Sequence, residues 1–125
     1  MLRALIFFWI ALVSFAALAE DSSVPEPEGM VLLTVGGLVG KSNRGPVDKK
    51  RDSALVKLKA DFKHGFAFDR DMLLALPQGE VTAATPELGD EAVFKGPLLK
   101  DVMVSIEAAK VKIRFVASDG YSGYL

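Results

Sequence analysis

The feature that most constrains this chain is an apolar segment at its very start. Arg3 is followed by an unbroken apolar run from Ala4 to Val13, which resumes after Ser14 and ends in Ala17-Leu18-Ala19 before Glu20-Asp21. An early cation, a short apolar middle and a small-x-small end form the pattern of a cleavable export signal. The alternative is an uncleaved anchor, since the run approaches the lower limit of a membrane span, roughly 17–25 residues. The expected organisation is therefore a signal peptide over 1–19, a polar, proline-bearing flexible leader over 20–29, and one domain over 30–125. Export places the protein in the periplasm or the medium. Contact with a membrane is expected only through an uncleaved signal.

What remains must fold without staples. The chain has no cysteine, so disulfides, zinc ribbons and cysteine nucleophiles are excluded. Stability has to come from an apolar core, which about 100 residues can supply on a modest scale. The formal net charge is −1, which gives no electrostatic reason to bind nucleic acid or an anionic membrane.

The patterning predicts mixed elements. Met30 to Val35 is an apolar run ended by Gly36-Gly37, as in a strand buried on both faces. Ala54 to Phe62 alternates with period two, which predicts a half-buried strand; its Ala, Leu and Lys content would also suit a helix. Asp69 is placed to cap a short helix around Asp71 and Met72, stopped by Pro77. Val81 to Thr85 is a short strand and Thr85 to Glu91 a loop. Pro97 opens a helix with an apolar stripe of Leu98, Leu99, Val102, Met103, Ile106 and Ala109. Val111 to Ala117 alternates as a strand, followed by an Asp119-Gly120 turn. Together these give an α+β class. The apolar end at Tyr124-Leu125, just after a turn, reads as a C-terminal truncation.

Chemical motifs are few. Gly40-Lys41-Ser42 after a strand imitates a phosphate loop, but the required glycine position holds Val35, and Asn43-Arg44-Gly45-Pro46 does not start a helix. One histidine, His64, gives no metal set and reads as a turn residue. The acidic pairs Glu26/Glu28, Asp69/Asp71 and Asp90/Glu91 lack calcium-loop spacing and read as solvated. Gly120-Tyr121-Ser122-Gly123-Tyr124 falls short of a nucleophile elbow, leaving Ser122 as a turn residue. Phe62, Phe66 and Phe68 read as core, with a stacking platform as the other use. The most basic stretch is the loop from Gly40 to Asp52, with Lys41, Arg44, Lys49, Lys50 and Arg51. It is either a solvated loop or an anion site.

Taken in order, VLLTVGG (31–37), SNRGPVDKKRD (42–52), FAFDRDMLLALPQ (66–78), VTAATPE (81–87), FKGPLLKDVM (94–103) and VASDGY (116–121) resemble the molybdopterin-binding domain of sulfite-oxidase-type oxidoreductases. The small, exported, single-domain bacterial members are the closest in pattern. The resemblance implies a mixed α+β fold around a pterin-bound molybdenum, and further strands beyond the D-G-Y. It also implies a cysteine thiolate in the zone that here reads Val81-Thr82-Ala83-Ala84-Thr85. No residue there can replace that soft anionic ligand, and Glu87 stands where the small members carry an aromatic. Catalytic residues therefore stay unassigned, and no metal ligands are assigned. The expectation is a non-catalytic or weakly pterin-binding accessory module, with another exported redox protein as its partner. Molybdopterin is then the cofactor to consider, its phosphate meeting Arg44, Lys49, Lys50 and Arg51. Two alternatives stand beside it: an oxidoreductase completed beyond Leu125 or by a partner, and an exported protein-interaction adaptor.

Overall fold

The structure is a computed structural model that describes residues 23–87 and 89–125. The proposed signal, 1–19, lies outside the described residues. The element order is β1 (Val31–Gly36), α1 (Ser53–Lys57), β2 (Gly65–Asp69), α2 (Arg70–Leu74), β3 (Gln78–Ala84), β4 (Glu91–Pro97), α3 (Leu99–Ser105), β5 (Arg114–Val116) and β6 (Ser122–Tyr124). Strands pair antiparallel in three two-stranded sheets: β1 with β2, β3 with β4, and β5 with β6. Strands and short helices together bear out the α+β class.

The core is small and centres on β2. Phe66 and Phe68 from β2 pack with Val102 of α3 and with Ile106, the residue that closes that helix. Leu33 and Val35 from β1, Met72 and Leu73 from α2, and Leu76 pack around them. All five residues of β2 are buried, so the strand covered on both faces is this one. The expectation for Met30–Val35 is corrected accordingly. Val31 and Leu32 are exposed at the start of β1, where the pairing register with β2 shifts between Val31 and Leu33 and no further strand lies beside it among the described residues.

The second edge of β2 is closed without a third strand. Gly65 exchanges backbone hydrogen bonds with Arg44 in both directions, each 3.2 Å. Two residues on, the Asn43 amide does for Ala67 what a strand would: Nδ2 donates to the Ala67 carbonyl at 2.9 Å, and Oδ1 accepts from its N–H at 2.7 Å. Two residues further, the Asp69 carboxylate accepts from Glu28 N–H at 2.8 Å and Gly29 N–H at 2.9 Å. Described leader residues 23–29 form no helix or strand, yet Val24 packs on the core and the Pro25 carbonyl accepts from Asn43 Nδ2. Residues 65, 67 and 69 thus have their outward backbone groups or side chains satisfied, as a buried edge requires.

Asp69 also accepts from Met72 N–H at 2.9 Å, which confirms the cap expected at α2. These N–H donors, Met72 and Gly29 foremost, hold its carboxyl below the usual value.

Elsewhere the patterning misled. Ala54–Phe62 is not a strand. Ser53–Lys57 is helical, and the chain then turns through Lys59 at φ +55°. Leu55 and Leu58 face inward while Ala54 and Val56 are exposed, a spacing of three, so the alternative helical reading of this stretch holds for its first part. Pro97 ends β4 and does not open the helix; Leu98 is extended (ψ 144°) and α3 begins at Leu99. Within the expected stripe Val102 and Ile106 are buried, whereas Leu98 and Leu99 are exposed. The strand expected over Val111–Ala117 shortens to β5, although Ile113 exchanges backbone hydrogen bonds with Leu125. The Asp119-Gly120 turn is present, with Gly120 at φ +94°. Ser122 begins β6 and is not a turn residue.

Gly36 and Gly65 are paired across β1 and β2, and the Phe62 ring lies over both. A Cβ on Gly65 would come within 2.8 Å of that ring and 3.1 Å of the Val35 carbonyl oxygen, which is fixed backbone. Gly65→Ala should therefore destabilise by about 1–3 kcal/mol through overpacking. Gly45→Ala meets no atom within 4 Å and should be near neutral. Paired urea melts check both, and equal midpoints would remove the argument.

Candidate functional site

The basic loop is built by two aspartates. Asp48 Oδ1 accepts from the backbone N–H groups of Lys50 and Arg51, both at 2.8 Å, a local Asx-type turn. Asp52 Oδ2 accepts from Asp48 N–H at 2.9 Å and from Arg44 Nη2 at 2.6 Å. The chain therefore closes on itself between 48 and 52, and α1 starts at the next residue. Both carboxyls lie below their usual value. Asp48 is lowered first by the Arg51 and Lys50 N–H groups, Asp52 first by the Asp48 N–H and then by Arg44.

The four cations proposed from the sequence separate into two kinds. Arg44 is turned inward. Its side chain is 17% exposed and bound to Asp52, and its guanidinium lies 5.2 Å from the centre of the Phe62 ring. Its Nε is buried without a hydrogen-bond partner. Arg51 is 72% exposed and only loosely paired, with Nε 3.8 Å from Asp52 Oδ1. Lys49 and Lys50 are exposed and make no ion pair among the described residues. Lys41, at the other end of the loop, is 3.6 Å from Glu107. The loop thus offers Lys49, Lys50 and Arg51 to an anion, on a backbone whose turn is fixed by Asp48, while Arg44 anchors the loop beneath them.

Surface depressions lie elsewhere among the described residues. One of about 340 Å³ is lined by Gly29, Met30, Leu32, Asp69, Arg70 and Asp71. Another, about 210 Å³, lies on the β3–β4 hairpin and includes Val81, Phe94, Gly96 and Leu98. Neither includes a residue of the basic loop. No phosphate-type helix follows Gly40-Lys41-Ser42, since the next helix is α1, and Ser42 Oγ donates to backbone carbonyls of Arg44 and Gly65. His64 occupies a bend and its carbonyl accepts from Gly37 N–H. Among the described residues no group of three His, Cys, Asp or Glu side chains comes together as a metal site, and no helix is long and apolar enough to cross a membrane. Phe66 and Phe68 are buried against each other, with ring centres 4.6 Å apart, which settles their role as core.

No family profile, curated protein or solved structure matches the chain.

Proposed function

We propose that this chain is an exported relative of the molybdopterin-binding domain of sulfite-oxidase-type oxidoreductases that works as a non-catalytic, at most weakly pterin-binding, accessory module in the periplasm or medium. One sequence observation carries the reading: six segments from Val31 to Tyr121 follow that domain's order in a chain without a single cysteine. The residues present do not fit the metal. The zone where the family places its thiolate lies in β3 and the residue after it, and offers only methyl, isopropyl and hydroxyl groups. No redox step is therefore derived.

A phosphate fits better. Lys49, Lys50 and Arg51 project from a pinned turn, and exposed cations attract a phosphate without needing a closed pocket. Arg44, committed to Asp52, supports the loop instead of the ligand. Another exported redox protein remains the proposed partner.

Native mass spectrometry of the protein isolated from its own cells tests the reading. A cleaved chain carrying no molybdenum is expected; a stoichiometric molybdenum-pterin mass would overturn the non-catalytic assignment. Titration with free molybdopterin then addresses the loop. The K49Q/K50Q/R51Q variant should bind at least about tenfold more weakly than the parent if the three cations share one phosphate, and unchanged affinity removes the loop from the proposal.

A further inference from the structure

The β3–β4 hairpin is largely exposed, apart from the contact of β4 with α2. It pairs two seven-residue strands in full register, from Gln78 opposite Pro97 to Ala84 opposite Glu91. Its sheet has no third strand among the described residues. Val81, Val93 and Phe94 are 53%, 65% and 46% exposed. An open strand edge with apolar side chains is a template for another strand.

The sequence of β4 selects the occupant. On one face of the strand lie Glu91, Val93 and Lys95, and on the other Ala92 and Phe94. Glu91 and Lys95 are spaced symmetrically about Val93. An antiparallel copy of the same strand, turned about a two-fold axis at Val93, sets Glu91 of each copy opposite Lys95 of the other. It also sets Val93 opposite Val93, and Ala92 opposite Phe94. Opposite charges face each other twice, apolar groups meet between them, and like charges are never opposed. Lys95 already lies 3.7 Å from Glu80 on its own hairpin, with both side chains well exposed. Its ammonium has three protons, so it can hold Glu80 and the second copy's Glu91 together. β3 has no such symmetry. Its only charged residue is Glu80, so a self-pairing there gains no opposite charge.

We propose that the outer edge of β4 is a homodimer interface, in which two copies join through antiparallel β4 strands into one four-stranded sheet. This goes beyond the accessory-module reading and does not depend on pterin binding. Sedimentation velocity over a wide concentration range tests it on the full chain. The parent should show a concentration-dependent dimer. Glu91→Lys places Lys against Lys twice and should raise the dissociation constant about tenfold or more, an estimate from two cross-strand pairs changing sign. Lys95→Glu should do the same. The double variant E91K/K95E restores the pairing and should return the constant to near the parent's value, and an equimolar mixture of the two single variants should form the mixed dimer. Val93→Lys, at a highly exposed position, should keep the far-ultraviolet circular dichroism of the parent and lose the dimer. A monomer at every concentration, an unaltered dimer in E91K, or no recovery in the double variant each overturns the proposal, and capture of a different protein's strand by a monomeric chain would assign the edge to that partner.

Discussion

Phe68→Ala should abolish the cooperative unfolding transition near physiological temperature. Phe68 is 2% exposed, stacked against Phe66 and enclosed by the α3 residues Val102 and the neighbouring Ile106. Deleting a buried phenyl ring destabilises by about 3–5 kcal/mol, the lost transfer energy plus the cavity left behind. In a domain of this size the total stability is about 5–15 kcal/mol. Here the fully buried apolar set among the described residues is only Phe66, Ala67, Phe68, Val102 and Ile106, so little neighbouring packing remains to compensate. The corresponding fall in melting temperature is roughly 15–30 °C. Val93→Ala, at a position 65% exposed, should shift the monomer's stability by less than about 0.5 kcal/mol. Differential scanning calorimetry of both variants at a concentration where the chain is monomeric makes the comparison. A Phe68→Ala protein that melts within a few degrees of the parent would show that the core lies elsewhere.

That prediction rests on β2, whose role was only half legible. Phe66 and Phe68 were readable as core because apolar aromatics flanking one small residue rarely have another use. The apolar pattern points to burial on both faces at Met30–Val35, the longer run, whereas it belongs to Gly65–Asp69. Pattern alone cannot separate the two, because full burial depends on what covers each side. Around β2 the cover comes from Asn43 and from backbone near Glu28 and Gly29, groups 24 to 41 residues away in sequence. No local rule reaches that far. The Asp69 cap was readable, since a carboxylate three residues before its donor is a local device.

The misread period at 54–62 and the unread strand β4 have separate causes. Residues 54–62 alternate in hydrophobicity, but the helix places Leu55 and Leu58 inward and lets the methyl of Ala54 face water at little cost. In β4 the alternation of Glu91, Val93 and Lys95 with Ala92 and Phe94 is present, but it is short and runs directly into Pro97, itself a helix-start signal. Proline is tolerated in an edge strand, so Pro97 suits the end of β4 as well as the start of a helix. At the site, counting charge found the basic loop. It could not show that Arg44 is neutralised by Asp52 eight residues on, because side-chain direction depends on how 44 is pinned to Gly65.

Asp52→Ala should be the most damaging change outside the core. The carboxylate is 12% exposed, and it holds Arg44 at 2.6 Å and the Asp48 N–H at 2.9 Å. Its removal leaves a largely buried guanidinium, whose Nε already has no partner, without its counter-charge. Exposed pairs contribute about 0–1 kcal/mol and fully buried ones about 3–5 when broken from one side; partial burial puts this loss at about 2 kcal/mol. The same group contributes an acid limb. Its carboxyl is lowered below the ordinary 3.8 in the folded chain, so its stabilisation is complete above that value and fades as pH falls through the lower folded value. Asp48 and Asp69 are lowered as well, and Asp52→Asn should therefore flatten only part of the decline that begins as pH falls below the ordinary carboxylate value of 3.8. An unchanged slope would place the protonation elsewhere. The double replacement R44M/D52L separates architecture from chemistry. Apolar residues of similar volume should recover most of the stability, because neither charge is then left stranded. If pterin binding survives in that variant, Arg44 serves the fold alone and the ligand is held by Lys49, Lys50 and Arg51; if binding is lost while the melting temperature recovers, the Arg44 guanidinium itself reaches the phosphate.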